Sequence, residues 1–325
     1  ELVWAMNNVD KFNFKNIELG NDPFKILEAM IDGIMTFKNE LVSPKELEKF
    51  LKNKLKDKKI TEDPEKLAEL LQLQDFQKMY ASLQKFLQES RLVDFDDMVM
   101  LAVELLKEKK LILSRYQKKF KCILVDEFQD TNYAQFELLK QLTPSGNVTV
   151  VGDEDQSIYR FQGAYSSIFA DFRQNYNAKI KQVILTQNYR STKNIASLAS
   201  KLLKNSPNRV QKDLTTENED GTKIIVARCA HDMAEVDWVR KKIQSMLGQD
   251  LKRRDGTTSP VVSRDITVLT RTKRDGKKFA LALYAHGIPA ASVGDAEIFS
   301  SSIGRDLLAY LDIANNPSKA GISIN

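Results

Sequence analysis

The run Lys121-Cys122-Ile123-Leu124-Val125-Asp126-Glu127-Phe128-Gln129-Asp130 decides the fold. Its four apolar residues are too few for a helix and read as a short buried strand that stops at two carboxylates. Behind it Tyr133, Phe136, Leu139 and Leu142 recur at helical spacing. A second run, Val148-Thr149-Val150-Val151, then stops at Gly152-Asp153. Strand, helix and strand within about 30 residues fit one βαβ unit with parallel strands.

Downstream the alternation continues. A third strand around Val183-Ile184-Leu185 leads through Tyr189-Arg190 into a helix capped by Ser191 or Thr192, with Ile195, Leu198, Ala199 and Leu202 on one face. Strands at Ile224-Ile225-Val226-Ala227, at Ile266-Thr267-Val268-Leu269 and from Ala290 to Val293 are expected between helices. The helices run from about Met233 to Leu247, up to His286, and through Leu307, Leu308 and Leu311. A polar loop carries Asp255-Gly256 and Ser259-Pro260. The pattern predicts a doubly wound α/β architecture with parallel sheets, in two halves that divide near residue 176.

Upstream, residues 23 to 118 carry almost no strand pattern. Asp22-Pro23, Ser43-Pro44 and Asp63-Pro64 each read as an N-cap followed by proline at the first helical position, where its missing N–H costs nothing. Apolar residues at helical spacing follow, among them Ile26, Met30, Ile34, Leu67, Leu70 and Leu71. Asp94-Phe95-Asp96-Asp97 resembles a metal-binding cluster but precedes Met98-Val99-Met100-Leu101, so it reads as a helix N-terminus with acids at the positive end of the dipole. The basic run from Lys52 to Lys59 could touch phosphates; a solvated helix face is the expectation.

Composition sets outer limits. The 325 residues are 42% hydrophobic and 29% charged, with 13 Gly and 8 Pro, which excludes collagen-like, low-complexity and disordered classes. Roughly two ordinary domains fit that length. No apolar run approaches the ~20 residues of a membrane span. Glu1-Leu2-Val3-Trp4 has neither a signal-peptide pattern nor an initiator Met, so an unexported chain cut from something longer is expected. Cys122 and Cys229 read as small core residues in a reducing compartment, and two histidines, His231 and His286, argue against a zinc hydrolase. A net charge of +5 permits a nucleic-acid partner without requiring one.

In open α/β sheets ligands bind beyond the C-terminal ends of strands. Three such places are dense in polar groups: Asp126-Glu127-Phe128-Gln129-Asp130, Gly152-Asp153-Glu154-Asp155-Gln156 and Gln187-Asn188-Tyr189-Arg190. They are expected to converge on one crevice. Adjacent carboxylates after a buried strand suit phosphoryl transfer to water, one holding hydrated Mg²⁺ and its neighbour orienting or deprotonating the water. A glutamine can orient that water or report the γ-phosphate, and an arginine can neutralise transition-state charge. Singly, each has a plainer reading: a helix cap, a turn residue, a surface ion pair. Their ordered recurrence is what points to a site.

Val125 to Asn132, Val151 to Ala164 and Gln187 to Thr192 resemble motifs II, III and IV of the UvrD, Rep and PcrA superfamily-1 DNA helicases. The likeness extends to Lys38-Asn39-Glu40-Leu41-Val42-Ser43-Pro44, to Asp94-Phe95-Asp96-Asp97 and to Asp265 through Thr272, and covers most of the chain. It implies RecA-like domains, ATP and Mg²⁺ as cofactors, and single-stranded and partly duplex DNA as partners. Asp126 would support Mg²⁺, Glu127 would serve the hydrolytic water, and Gln156 would sense the γ-phosphate. Tyr189 would stack on adenine and Arg190 would reach the γ-phosphate. Tyr159 and Phe161 would stack on DNA bases. Phe161 stands where family members often have Trp and Gln162 where they often have Arg, which implies less stacking area and one cationic contact fewer.

The resemblance implies a helical insertion module over 1–90, the C-terminal part of a first RecA-like domain over 91–176, and the N-terminal part of a second over 177–318. Residues 319–325 would begin a second insertion. The chain contains no G-x-x-x-x-G-K-[ST] phosphate loop, and the family's first strand, adenine-reading glutamine motif and last two motifs are also missing. An internal fragment of a larger 3′-to-5′ helicase is therefore expected, inactive alone, from the cytoplasm with nucleoid association, or from the nucleus if eukaryotic. The alternative is a catalytically dead module that binds single-stranded DNA or a protein partner. A phosphatase or receiver reading needs an aspartyl nucleophile with a lysine after a later strand, which the sequence does not supply.

Overall fold

A computed structural model describes residues 1–12, 14–157, 167–176, 180–203, 214–253 and 256–292, together with 306, 307, 310 and 311. It divides into two compact units, Glu1–Thr222 and Lys223–Asn325.

The first unit opens with eight helices: α1 Leu2–Asn7, α2 Val9–Phe12, α3 Pro23–Asn39, α4 Pro44–Lys54, α5 Lys58–Thr61, α6 Pro64–Glu89, α7 Phe95–Glu108 and α8 Lys110–Lys119. The three Pro-marked starts fall where expected. Asp22, Ser43 and Asp63 each accept a backbone N–H of the following turn, and Ser43 forms a full capping box with Glu46. Asp94 caps α7 through a second capping box with Asp97, so that acidic run is a helix start. Two apolar clusters bind the helices together. Leu27, Met30, Ile31 and Met79 join Ala5 and Phe12 in one. Ile34, Leu47, Leu51, Tyr80, Leu83 and Leu87 form the other. No helix among the described residues is long and apolar enough to cross a membrane.

A buried ionic cluster crosses this module. Lys38, fully buried, pairs with Asp94 and, at 2.9 Å, with Asp97, which also accepts from Gln84 at 2.9 Å. Burial pushes the Asp94 carboxyl up, but the Lys38 ammonium and the Asp97 N–H outweigh it and hold the group below the usual carboxylate range. Burial, reinforced by the Asp97 and Asp94 charges, raises the neighbouring Tyr80 hydroxyl. Beside Lys38, Asn39 Oδ1 accepts from Asn132 Nδ2 at 2.6 Å, tying α3 to the cap of the helix that follows the first strand.

That βαβ unit comprises β1 Ile123–Val125, α9 Tyr133–Leu142 and β2 Val148–Val150, with the strands parallel and Val125 opposite Val150. Its core is Phe128, with Phe136, Leu139, Ile168 and Phe172 around it. The Phe128 ring meets Phe169 and Phe172 edge-on, each at 5.3 Å. Helices α10 Ile168–Tyr176 and α11 Lys193–Leu203 complete the unit. The second unit holds α12 Asp232–Met246, an antiparallel hairpin of β3 Asp250–Lys252 and β4 Thr258–Pro260, and α13 Lys273–Tyr284. Ile243, Leu283 and Ile288 form its core.

The doubly wound sheets are where observation departs from expectation. Among the described residues there is one parallel pair and one antiparallel pair. The runs at 183–185, 224–227 and 266–269 belong to no ladder, and Leu185, Val226 and Leu269 are mostly exposed. An apolar run becomes a strand only where a neighbour satisfies its N–H and C=O groups, and among the described residues none pairs with these. The hairpin occupies the region read as a polar loop; Asp255-Gly256 was its turn signal. Cys122 is exposed and Cys229 half-buried, so the core reading of both is corrected: each lies in or beside a run without packed neighbours on both faces. Val293 and Leu308 lie outside the described residues.

Candidate active site

Two strand ends and one glutamine build the site. Because β1 and β2 are parallel and in register, the chain leaves both at the same edge. Val151 N–H donates to Val125 O at 2.8 Å and Phe128 N–H to Val151 O at 2.9 Å, fixing the two exits side by side. With the Phe128 ring drawn into the core, the backbone turns sharply just before it, and Glu127 adopts a left-handed conformation with φ 48°. That conformation costs a non-glycine residue about 1–2 kcal/mol, and it persists only where the surroundings fix it. Here Asp126 Oδ1 accepts the Glu127 N–H at 2.9 Å. Both side chains remain exposed at the sheet edge.

Gln129 is the joint between the two exits. It is 2% exposed, its Nε2 donates to Glu127 Oε2 at 2.7 Å, and its Oε1 accepts from Asp153 N–H at 2.9 Å. Asp153 Oδ1 accepts from Asp155 N–H at 3.1 Å and Oδ2 from Gln156 Nε2 at 2.9 Å. Hydrogen bonds therefore run without a break from Glu127 through Gln129 and Asp153 to Gln156. Gly152 makes this approach possible, since a Cβ there would stand 2.6 Å from Gln129 Oε1 and 3.1 Å from Phe128 N.

Tyr189 and Arg190 are organised by a different set of bonds. Asn188 Oδ1 accepts both Arg190 N–H at 2.8 Å and Ser191 N–H at 2.9 Å, an Asx turn that presents the two side chains ahead of α11. A neighbouring segment braces the turn: Asn188 N–H donates to Thr215 O at 2.7 Å, and Asn218 Nδ2 to Ser191 O at 3.0 Å. The Tyr189 ring is 77% exposed. Tyr159 and Phe161 lie outside the described residues.

Asp126, Glu127 and Gln156 are thus joined in one network, and Tyr189 and Arg190 share one turn. Sequence reasoning passed over Gln129, Asp153 and Asn188 as organisers. Asn188 carried a usable signal, an Asn two residues ahead of a turn. Gln129 carried none, because its inward orientation depends on the turn that buries Phe128.

Comparison with known proteins places the chain among DNA helicases. Residues 6–177 match the UvrD/REP helicase N-terminal domain and residues 183–323 the UvrD-like helicase C-terminal domain. The chain is 38% identical over 241 residues to the ATP-dependent DNA helicase PcrA of Bacillus subtilis, covering 74% of this chain and 31% of that protein. It is 32% identical over 301 residues to UvrD1 of Mycobacterium tuberculosis, covering 90% of this chain and 36% of that protein. To DNA helicase II of Haemophilus influenzae it is 35% identical over 240 residues, 74% of this chain and 31% of that protein. It spans about a third of the length of these relatives.

Proposed function

Because this chain belongs to the UvrD/Rep helicase family, we propose that it is part of a longer enzyme that couples ATP hydrolysis to movement along single-stranded DNA and unwinding of duplex DNA, 3′ to 5′. The observation that carries this reading is the unbroken hydrogen-bonded line from Glu127 to Gln156 across two parallel strand ends. A hydrolytic site needs its water-activating carboxylate and its phosphate-reading amide fixed relative to each other, because positioning supplies most of the catalysis in phosphoryl transfer.

Asp126 and Glu127 offer oxygen ligands only, and Asp126 is exposed, with one carboxylate oxygen, Oδ1, accepting the Glu127 N–H. This fits Mg²⁺, which takes one or two carboxylates and completes its sphere with water and phosphate oxygens. When bound, the ion neutralises charge on the phosphates. The Glu127 carboxylate accepts a proton from the attacking water as its oxygen bonds to the γ-phosphorus and the bond to the bridging oxygen breaks. Gln156 donates to the γ-phosphate, Arg190 neutralises its developing charge, and the exposed Tyr189 ring stacks on adenine. Tyr159 and Phe161 stack on DNA bases, which binds any sequence. The RecA-like character of both domains and a cytoplasmic site of action belong to the same proposal. The second reading, a non-catalytic single-strand-binding or partner-binding module, draws its support from the lack of a phosphate-loop sequence in these 325 residues.

Gly152→Ala tests the joint. The added methyl must displace Gln129 Oε1 from its bond to Asp153, shifting Glu127 relative to Gln156. In the full-length protein, DNA-stimulated phosphate release is expected to fall about 10²-fold, the scale of an ångström's misplacement. An unchanged rate with intact folding would remove Gln129 from the account.

A further inference from the structure

Between α3 and α6 lies an open trough of about 920 Å³. Ile26, Ala29 and Met30 form one side of it, Leu73 and Phe76 the other, and Ile17 closes a third. Its walls are held firmly. Asp75, fully buried on α6, accepts the Lys15 and Asn16 backbone N–H groups at 2.8 and 2.6 Å, and Asn16 Nδ2 donates to Leu71 O at 3.3 Å, so the segment before α3 is fastened along α6. At one end Gly33 admits the Phe76 ring against α3, since a Cβ there would stand 2.9 Å from Phe76 Cε2. From that end the two helical sides run about two turns, ~12 Å, toward Lys25 and Glu69.

The lip of the trough is acidic. Glu18 and Glu69 line it, with Lys25 as the single lining cation. At about 100° per residue, Asp22 falls on the α3 face of Lys25, Ile26 and Ala29, and Glu65 on the α6 face of Glu69, Leu73 and Phe76. Glu18, Asp22, Glu65 and Glu69 are all exposed, and none makes an ion pair among the described residues. Lys66 on α6 is occupied by Asp63 at 2.7 Å. Asp22 and Glu65 also favour the starts of their own helices; Glu18 and Glu69 have no such role.

An apolar floor left half-open beneath a lip of one sign is completed by a partner of the other sign. A phosphate backbone is repelled by these acids. A helix that carries apolar side chains at i, i+4 and i+7, a span of ~10.5 Å, matches the two-turn length, and Lys or Arg beside those side chains meets the lip. We propose that the trough between α3 and α6 is a docking groove for a short cationic amphipathic helix of a protein partner. Ile17, Ile26, Ala29, Leu73 and Phe76 receive its apolar side chains, and Glu18, Glu65 and Glu69 its cations. The inference stands apart from the hydrolytic reading, because no residue of the strand-end network takes part in it.

The test is fluorescence anisotropy of this chain with a labelled peptide of about 14 residues, built from Ala and Lys with three Leu at i, i+4 and i+7. The probe is expected to bind, to weaken as salt screens the lip, and to lose about tenfold or more in affinity when its Lys are exchanged for Glu or its Leu for Ser. Ala29→Arg puts bulk and a cation into an exposed part of the floor and is expected to weaken the probe about tenfold, with melting temperature unchanged. Glu65→Gln with Glu69→Gln is expected to weaken it and to flatten the salt dependence. The control pair Glu108→Gln and Glu235→Gln removes equal charge from other helices and is expected to change neither. No binding by the wild-type chain, full binding by Ala29→Arg, an equal loss in the control pair, or a Glu-for-Lys probe that binds as well overturns the proposal. So does a chain that light scattering finds dimeric and that Ala29→Arg returns to monomer, since the groove would then hold a second copy.

Discussion

Glu127→Gln in the full-length protein is expected to lower DNA-stimulated ATP turnover by about 10²–10⁴-fold, the range for losing a positioned general base, while nucleotide affinity changes only a few-fold. The substitution keeps the size and planarity of the side chain. Gln129 Nε2 then meets an amide, which rotates to present its oxygen, so the line to Gln156 survives. What is lost is the capacity to take a proton. Arg190→Ala is expected to act differently: the Asx turn made by Asn188 with backbone N–H groups remains, and the missing cation appears as lost transition-state stabilisation and weaker coupling to DNA. Steady-state kinetics beside nucleotide binding by each variant make the comparison. Wild-type turnover in both would remove these residues from the catalytic machinery.

The largest effect on stability is expected at Lys38. Lys38→Met leaves Asp97, 2% exposed, and Asp94 without their cation, and breaking a buried pair from one side costs about 3–5 kcal/mol. Urea unfolding followed by far-UV circular dichroism reads it directly. The pH dependence gives a second signature. In the wild type the Asp94 carboxyl is held below its unfolded value, so its contribution is present above about pH 4 and is lost as pH falls through the lower folded value. Asp96, raised by burial and by the Asp94 charge, works the opposite way, so the informative quantity is the difference between wild type and variant. In Lys38→Met, protonation relieves stranded carboxylates, and the gap between the two proteins narrows on acidification. A gap under 1 kcal/mol at neutral pH, or one that widens in acid, would show that the cluster does not hold the module together.

Legibility in the sequence followed the range of the interactions. Helix starts depend on three or four consecutive residues, and Asp22-Pro23, Ser43-Pro44, Asp63-Pro64 and Asp94 all cap helices. The βαβ unit was equally readable, because its two apolar runs pair with each other. The runs at 183–185, 224–227 and 266–269 have the same local character but join no ladder among the described residues, since pairing depends on a neighbour that local pattern cannot supply. Side-chain joints were least legible. Lys38 with Asp94 and Gln129 with Asp153 link residues 56 and 24 positions apart, and nothing in the intervening chain announces either bond. The resemblance of the strand-end runs to helicase motifs, by contrast, agrees with the family to which the chain belongs.

The measurement closest to the central claim is ATP hydrolysis, with and without single-stranded DNA, by the full-length protein and by this chain alone. On the proposed reading the strand-end network supplies a water-activating carboxylate and a γ-phosphate contact, while these 325 residues contain no G-x-x-x-x-G-K-[ST] phosphate-loop sequence. DNA-stimulated hydrolysis by the full-length protein, with none by the isolated chain, is the predicted result. DNA-stimulated hydrolysis by the isolated chain that Glu127→Gln abolishes, or a full-length protein whose ATP turnover ignores DNA, would contradict it.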